Sequence, residues 1–200
     1  MVKGFYHDRG LCALSLHELF RPGINDTWLG MHIIFNAFLA RVDDAITAVA
    51  LSPTVSENQN VGSERRTGLE IELSRKLLAT LDGGINYPYL NRDVLSGNYT
   101  ATDTPGYQVF LFLDWRAIPS LEMMLSLDSQ GERWLQSATN NLLYFRGGKF
   151  TRMGFKIASH PTPTLMAEIG TKNLTDQNYL VEDGYHAPGR EYFLNVRMTF

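Results

Sequence analysis

Apolar residues occupy every second position at the end of the chain: Tyr192, Leu194, Val196, Met198 and Phe200, with Asn195, Arg197 and Thr199 between them. A period of two marks an extended strand with one oily and one polar face, because successive side chains of a strand point to opposite sides. The pattern returns in Leu69, Ile71 and Leu73, which alternate with Glu70, Glu72 and Ser74. It returns again in Leu121, Met123, Leu125 and Leu127, which alternate with Glu122, Ser126 and Asp128, although Met124 interrupts the polar side. Further strands are read over residues 28–48, 78–90, 106–115, 148–158 and 164–173, each bounded by turn-rich sequence. This makes eight strands, and residues 11–19 hint at a ninth whose Cys12, Ala13, Leu14 and Leu16 alternate poorly.

The connections alternate in length. Short ones are read at residues 21–27, 75–77, 116–119 and 159–163, and long ones at 49–64, 91–105, 131–147 and 174–190. Outer-membrane barrels put short turns on the periplasmic side and long loops outside, and an up-and-down meander must keep that rhythm. The expected fold is therefore all-β, an antiparallel up-and-down transmembrane β-barrel segment of about eight strands. Counting back from Phe200 puts the C-terminus on the side of the short turns. Tyr87, Tyr89, Tyr107, Trp115, Tyr179, Tyr185 and Tyr192 fall near strand ends, where an aromatic girdle sits.

Composition agrees once this pattern is seen. The 44% apolar and 20% charged content looks like a soluble globular protein, but a barrel whose strands alternate lipid-facing and lumen-facing residues averages out in the same way. Around the most apolar region the longest run without Asp, Glu, Lys or Arg covers residues 27–40, short of the roughly 20 residues a membrane helix needs. A net charge of −3 gives no basic footprint and argues against nucleic-acid binding. The single cysteine, Cys12, excludes an intrachain disulfide and a multi-cysteine metal site. No signal peptide is read in the first residues, where His7, Asp8 and Arg9 precede the apolar run, so an export signal is expected upstream or not at all.

Near the C-terminus, Thr171-Lys172-Asn173-Leu174-Thr175-Asp176-Gln177-Asn178-Tyr179 is followed by Gly184-Tyr185-His186-Ala187-Pro188-Gly189-Arg190-Glu191-Tyr192 and a final Phe200. This resembles the closing signature of TonB-dependent receptors, an "Asn-Leu-x-Asp-x-x-Tyr" step, then "Pro-Gly-Arg", then a last strand ending in Phe. Upstream, Arg41-Val42-Asp43-Asp44-Ala45-Ile46, Asn60-Val61-Gly62 and Gly68-Leu69-Glu70-Ile71-Glu72 resemble the same family in order and spacing. The resemblance covers residues 28–200, taken as the C-terminal part of such a barrel, with 1–27 as a poorly matching segment. It implies a 22-stranded plugged barrel in full form, of which the plug, the energy-coupling box and most strands would precede this chain. Pro88 departs from the pattern, since it falls inside a strand and cannot donate a ladder hydrogen bond.

The resemblance implies an outer-membrane receptor for TonB-dependent uptake of a scarce nutrient such as a ferric siderophore or cobalamin, inactive alone without its plug. Expected partners are outer-membrane lipid, the barrel-assembly machinery, a small iron chelate or cobalamin, and the TonB system only through the plug. Phe200 is expected to act as the assembly signal, the alternative being a plain lipid-facing aromatic. Tyr99, Trp134 and Tyr185, on long loops, are expected ligand contacts. Asn173 and Asp176 read as turn formers, and Pro188-Gly189-Arg190 as setting the start of the last strand. His7, His17, His32, His160 and His186 show no metal-ligand spacing. No nucleophile elbow, phosphate loop or paired-carboxylate pattern is read, so no metal, cofactor or catalytic residue is expected. Two other readings stand beside this one: a self-contained eight-stranded barrel with a packed interior, and a soluble β-sandwich, since alternation does not say which face points inward.

Overall fold

In a computed structural model of the chain, residues 15–60 and 62–199 are described. They form β1 (Ser15–Phe20), β2 (Gly23–Trp28), β3 (Met31–Asp43), β4 (Ile46–Ser52), β5 (Val55–Asn60), β6 (Ser63–Leu78), β7 (Leu81–Ser96) and β8 (Gln108–Ile118). These are followed by β9 (Leu121–Gln130), β10 (Arg133–Gln136), β11 (Tyr144–Gly147), β12 (Phe150–Thr162), β13 (Leu165–Lys172), β14 (Leu180–Glu182), β15 (Tyr185–His186) and β16 (Glu191–Met198). Ten of these strands make one sheet in the order β1-β3-β6-β7-β8-β9-β12-β13-β16, with β2 also paired to β3. Every pairing is antiparallel. The remaining strands form hairpins inside the long loops: β4–β5, β10–β11 and β14–β15. Among the described residues no second sheet covers the first, and β16 has a single neighbour, so neither a sandwich nor a closed eight-stranded barrel is present.

The first crossing differs from the sequence reading. Phe20 pairs with Leu39 and Gly23 with Asn36, so β1 and β2 continue one register along the same edge of β3. Pro22 accepts a hydrogen bond from the Ala37 N–H at 2.9 Å but has no N–H to return, and the lost rung splits the strand. Residues 21–27 are therefore not the connection expected from their Pro, Gly, Asn and Asp. The turn is Leu29-Gly30, both with positive φ (50° and 73°), joining Trp28 to its partner Met31. The strand expected over 28–48 likewise divides at Asp44 (φ 55°), beyond which β4 leaves the main sheet to pair with β5.

The other short turns are two-residue hairpins joining Leu78 to Leu81, Ile118 to Leu121 and Thr162 to Leu165, each preceded by a register irregularity. The C-terminus lies beside them, for the Thr199 N–H donates to Thr164 O at 2.9 Å. Register then carries one apolar band across the sheet. Phe35 faces Ile71, Ile71 faces Tyr87, Leu113 faces Leu125, Leu125 faces Phe155, and Ile169 faces Leu194. The band has Trp28 and Trp115 at the short-turn end and the stacked pair Tyr87–Tyr107, 6.4 Å between centroids, at the other. Tyr179 does not join this girdle. It packs 4.2 Å from Phe150, and its hydroxyl accepts a hydrogen bond from Arg152 at 2.9 Å, both partners lying on the opposite, polar face.

That polar face holds the expected Glu70, Glu72, Glu122, Asn195 and Arg197, with ion pairs Arg152–Asp128 (2.7 Å) and Lys156–Glu168 (3.3 Å). Its apolar members have a common use. Phe38, Phe112 and Phe193 each stand directly opposite a glycine, Gly68, Gly84 and Gly170, and each ring lies so close that a Cβ on the glycine would meet it at 2.5 Å. The ring covers backbone that the glycine leaves bare. Pro88 is tolerated because its missing donor falls on the β8 side, where the β7–β8 ladder breaks between Asn86–Phe110 and the isolated Tyr89–Tyr107 bridge.

Candidate functional site: a cleft under the long loops

Where β6 and β7 rise past the apolar band, their polar-face residues become charged. Arg66 stands opposite Arg92, and Glu64, 1% exposed, lies one step above. Glu64 accepts from Arg92 Nη2 at 2.9 Å and Nε at 3.1 Å through one oxygen, and from Arg66 through the other. A buried carboxylate between two guanidiniums offsets its own desolvation only because both oxygens are taken.

Arg92 also reaches into loop 97–107, donating to Thr102 O and Thr104 Oγ1, each at 3.2 Å. The loop is thereby held against the polar face. Tyr99 follows it in. Its hydroxyl is buried without a hydrogen-bond partner among the described residues, and burial first, then the Glu64 charge, push the phenol above its ordinary range. The β10–β11 hairpin closes the far side. The Asp103 N–H donates to Trp134 O at 3.0 Å, Arg133 donates to Asp103 O at 3.4 Å and to the Gln130 side chain, and burial pulls the Arg133 guanidinium below its ordinary range. Trp134 pairs with Arg146 across the hairpin, and the Arg146 guanidinium lies 5.1 Å from the ring centroid.

Between these elements opens a cleft of about 390 Å³ whose lining includes Arg92, Tyr99, Thr104, Arg133, Trp134 and Arg146. Arg92 is already paired with Glu64, and Arg133 and Arg146 outnumber the one lining acid, Glu132, so the cleft suits an anionic, partly aromatic ligand. Neighbouring loops brace it. The Asn141 N–H donates to Pro53 O at 2.9 Å, and Asp183 Oδ2 accepts from the Ala138 N–H at 2.8 Å.

The structure brings Tyr99 and Trp134 together in this cleft. Tyr185 stands apart on β15, 67% exposed, and Phe200 lies outside the described residues. Arg92, Arg133 and Arg146 were not singled out in the sequence, where nothing distinguishes them from other rim cations. The C-terminal signature is structural. Asn173, 2% exposed with φ 50°, donates to Gln177 O at 2.8 Å and accepts from the Gln177 N–H at 2.9 Å. Asp176, φ 54°, accepts from the Arg190 N–H at 2.7 Å, tying the exit of β13 to the start of β16. Both residues are turn formers, as their side-chain chemistry predicts.

A meander with an apolar outer band, short turns at one end and a laced loop layer at the other agrees with the family described as "TonB dependent receptor-like, beta-barrel", which matches residues 21–174. The chain belongs to this family. Its barrels are those of outer-membrane transport receptors. No curated protein matches the sequence. Solved structures share the TonB-dependent fold. A ferric enterobactin receptor of Pseudomonas aeruginosa aligns at 19% identity and TM-score 0.68, over 90% of this chain and 30% of its own. The ferripyoverdine receptor of the same organism's outer membrane aligns at 18% and 0.69, over 89% and 26%. The copper transporter OprC aligns at 15% and 0.75, over 90% and 31%. The chain thus spans under a third of these receptors. In the TonB-dependent frame the apolar band faces lipid, the polar face lines the lumen, and the cleft opens among the external loops.

Proposed function

We propose that this chain supplies part of the ligand-facing wall of an outer-membrane receptor for TonB-dependent uptake of a scarce nutrient, of the ferric siderophore or cobalamin class. The observation that carries this reading is the cleft between loop 97–107 and the β10–β11 hairpin, with Arg92, Arg133 and Arg146 around Tyr99 and Trp134. Tyr99 and Trp134 stack on the ligand, and Tyr185 touches it from the last long loop. The arginines compensate negative charge on an iron chelate. Energy coupling in this family passes through a plug, so these 200 residues contribute ligand contact and not energised transport. The run Tyr192, Leu194, Val196, Met198 leads to Phe200 as the signal read by the barrel-assembly machinery.

Among the named ligands the net positive cleft favours an anionic ferric catecholate. The test is a fluorescence titration of the refolded chain with ferric enterobactin, a neutral ferric hydroxamate and cyanocobalamin. The catecholate is expected to bind tightest, and Arg146→Gln to weaken it about tenfold, at roughly 1.4 kcal/mol for one lost charge-assisted contact. Equal binding by Arg146→Gln would contradict a ligand role for the cleft.

A further inference from the structure

Arg75 is a cation set on the apolar face, which also carries Asp26 opposite Ile33 on β3. Alternation along β6 places Arg75 with Leu69, Ile71 and Leu73, and register sets it between Met31 of β3 and Gly83 of β7. It is exposed, and no described residue offers it an acid or a hydrogen-bond acceptor. A cation on a lipid-facing wall is costly at the bilayer centre and nearly free at the interface. Arg75 lies close to the interface, on the short-turn side of Leu73, with Trp28 and Trp115 marking the boundary nearby. A long side chain there extends its guanidinium toward lipid phosphates.

Beside Arg75 the wall is dented. Gly83 has no side chain, Leu77 and Leu113 lean over it, and a groove of about 490 Å³ opens beside them, lined also by Ile85, Leu111 and Leu125. Through Leu113 and Leu125 it continues into a second groove of about 590 Å³ that ends at Trp115. Register sets Arg75 directly opposite Gly83, which lines this largely apolar groove, and a cation beside such a groove matches an anionic headgroup joined to an acyl chain.

We infer that Arg75 and the groove beside Gly83 form a binding site for an anionic phospholipid of the periplasm-facing leaflet, the phosphate on Arg75 and an acyl chain along Leu113 and Leu125. The site rests on the membrane placement of the proposed receptor. It would give the barrel wall a fixed lipid at one depth.

The test uses the full chain reconstituted in bilayers, with Trp28→Phe and Trp134→Phe leaving Trp115 as the sole indole. Phosphatidylglycerol brominated on its acyl chains is titrated into phosphatidylcholine, and the reverse titration is run as reference, with quenching of Trp115 as readout. Half-quenching by the anionic lipid is expected at about one-fifth of the mole fraction needed by the zwitterionic one, the factor a single basic residue near an anionic surface provides. Arg75→Lys should keep that preference and Arg75→Gln should abolish it. Gly83→Leu, which fills the groove, should weaken quenching by both lipids. An identical preference in Arg75→Gln overturns the site while leaving the membrane placement intact. Absence of quenching by either lipid overturns both.

Discussion

Replacing Glu64 by alanine should release loop 97–107 from the inner wall. Glu64 is 1% exposed and holds Arg66 and Arg92, which stand opposite each other in register. Without the carboxylate two like charges remain beneath the loop, and breaking a buried ion pair costs about 3–5 kcal/mol. Arg66 is 39% exposed and regains water easily, which argues for the lower end. About 3 kcal/mol corresponds to a factor of about 150 in the loop-opening equilibrium. Limited chymotryptic cleavage after Tyr99 reports the open population when opening and closing outpace cleavage. Cleavage should rise about 150-fold in Glu64→Ala, and about tenfold in Glu64→Gln, which keeps an acceptor but loses the charge. Glu57→Ala, on the β4–β5 hairpin and bonded among the described residues to Gln59 alone, should leave the rate unchanged. A rate in Glu64→Ala within threefold of the parent would refute the view that this carboxylate neutralises the loop's seat.

Three further outcomes follow from the geometry. Asn173→Ala should cost about 2–3 kcal/mol in urea unfolding of the detergent-refolded protein, and Asn173→Gly about 1 kcal/mol less, since glycine accepts the positive φ but not the hydrogen bonds. Gly170→Ala puts a Cβ 2.7 Å from Phe155 O as well as 2.5 Å from the Phe193 ring. It should destabilise by about 1–3 kcal/mol, and Phe193→Leu should not restore the loss, because the backbone oxygen stays. The raised Tyr99 ionisation means that the folded loop favours the neutral phenol, so loop closure is complete below about pH 10 and weakens as pH rises through the folded value. Ultraviolet titration should lose a tyrosinate component from above the ordinary phenol range in Tyr99→Phe, and an unchanged curve would contradict the buried hydroxyl.

The strands were legible wherever one face is oily. Leu69, Ile71 and Leu73, or Tyr192 to Met198, announce themselves because lipid demands an apolar side chain at every second position. The same logic hid the first crossing, since Pro22, Gly23, Asn25 and Asp26 are turn residues by chemistry, and only pairing with β3 makes residues 23–28 a strand. The hairpins inside the long loops escaped for a related reason. They stand outside the membrane, so Arg133-Trp134-Leu135-Gln136 carries no period that lipid would enforce. The cleft was half visible. Tyr99 and Trp134 drew attention as loop aromatics, whereas Arg92, Arg133 and Arg146 converge only through sheet order and loop bracing. In the C-terminal signature, conformational demand and sequence coincide, as Asn173 and Asp176 tolerate left-handed backbone and bond their own neighbours.

One face of this sheet meets lipid and the other lines a lumen. Single cysteines placed in turn at residues 194 to 198 of a Cys12→Ser chain in bilayers, probed with a membrane-impermeant maleimide, test it most directly. Positions 195 and 197 should react and positions 194, 196 and 198 should be protected, with protection lost in detergent-free urea. Uniform reaction along the strand, or protection at 195 and 197 instead, would contradict it.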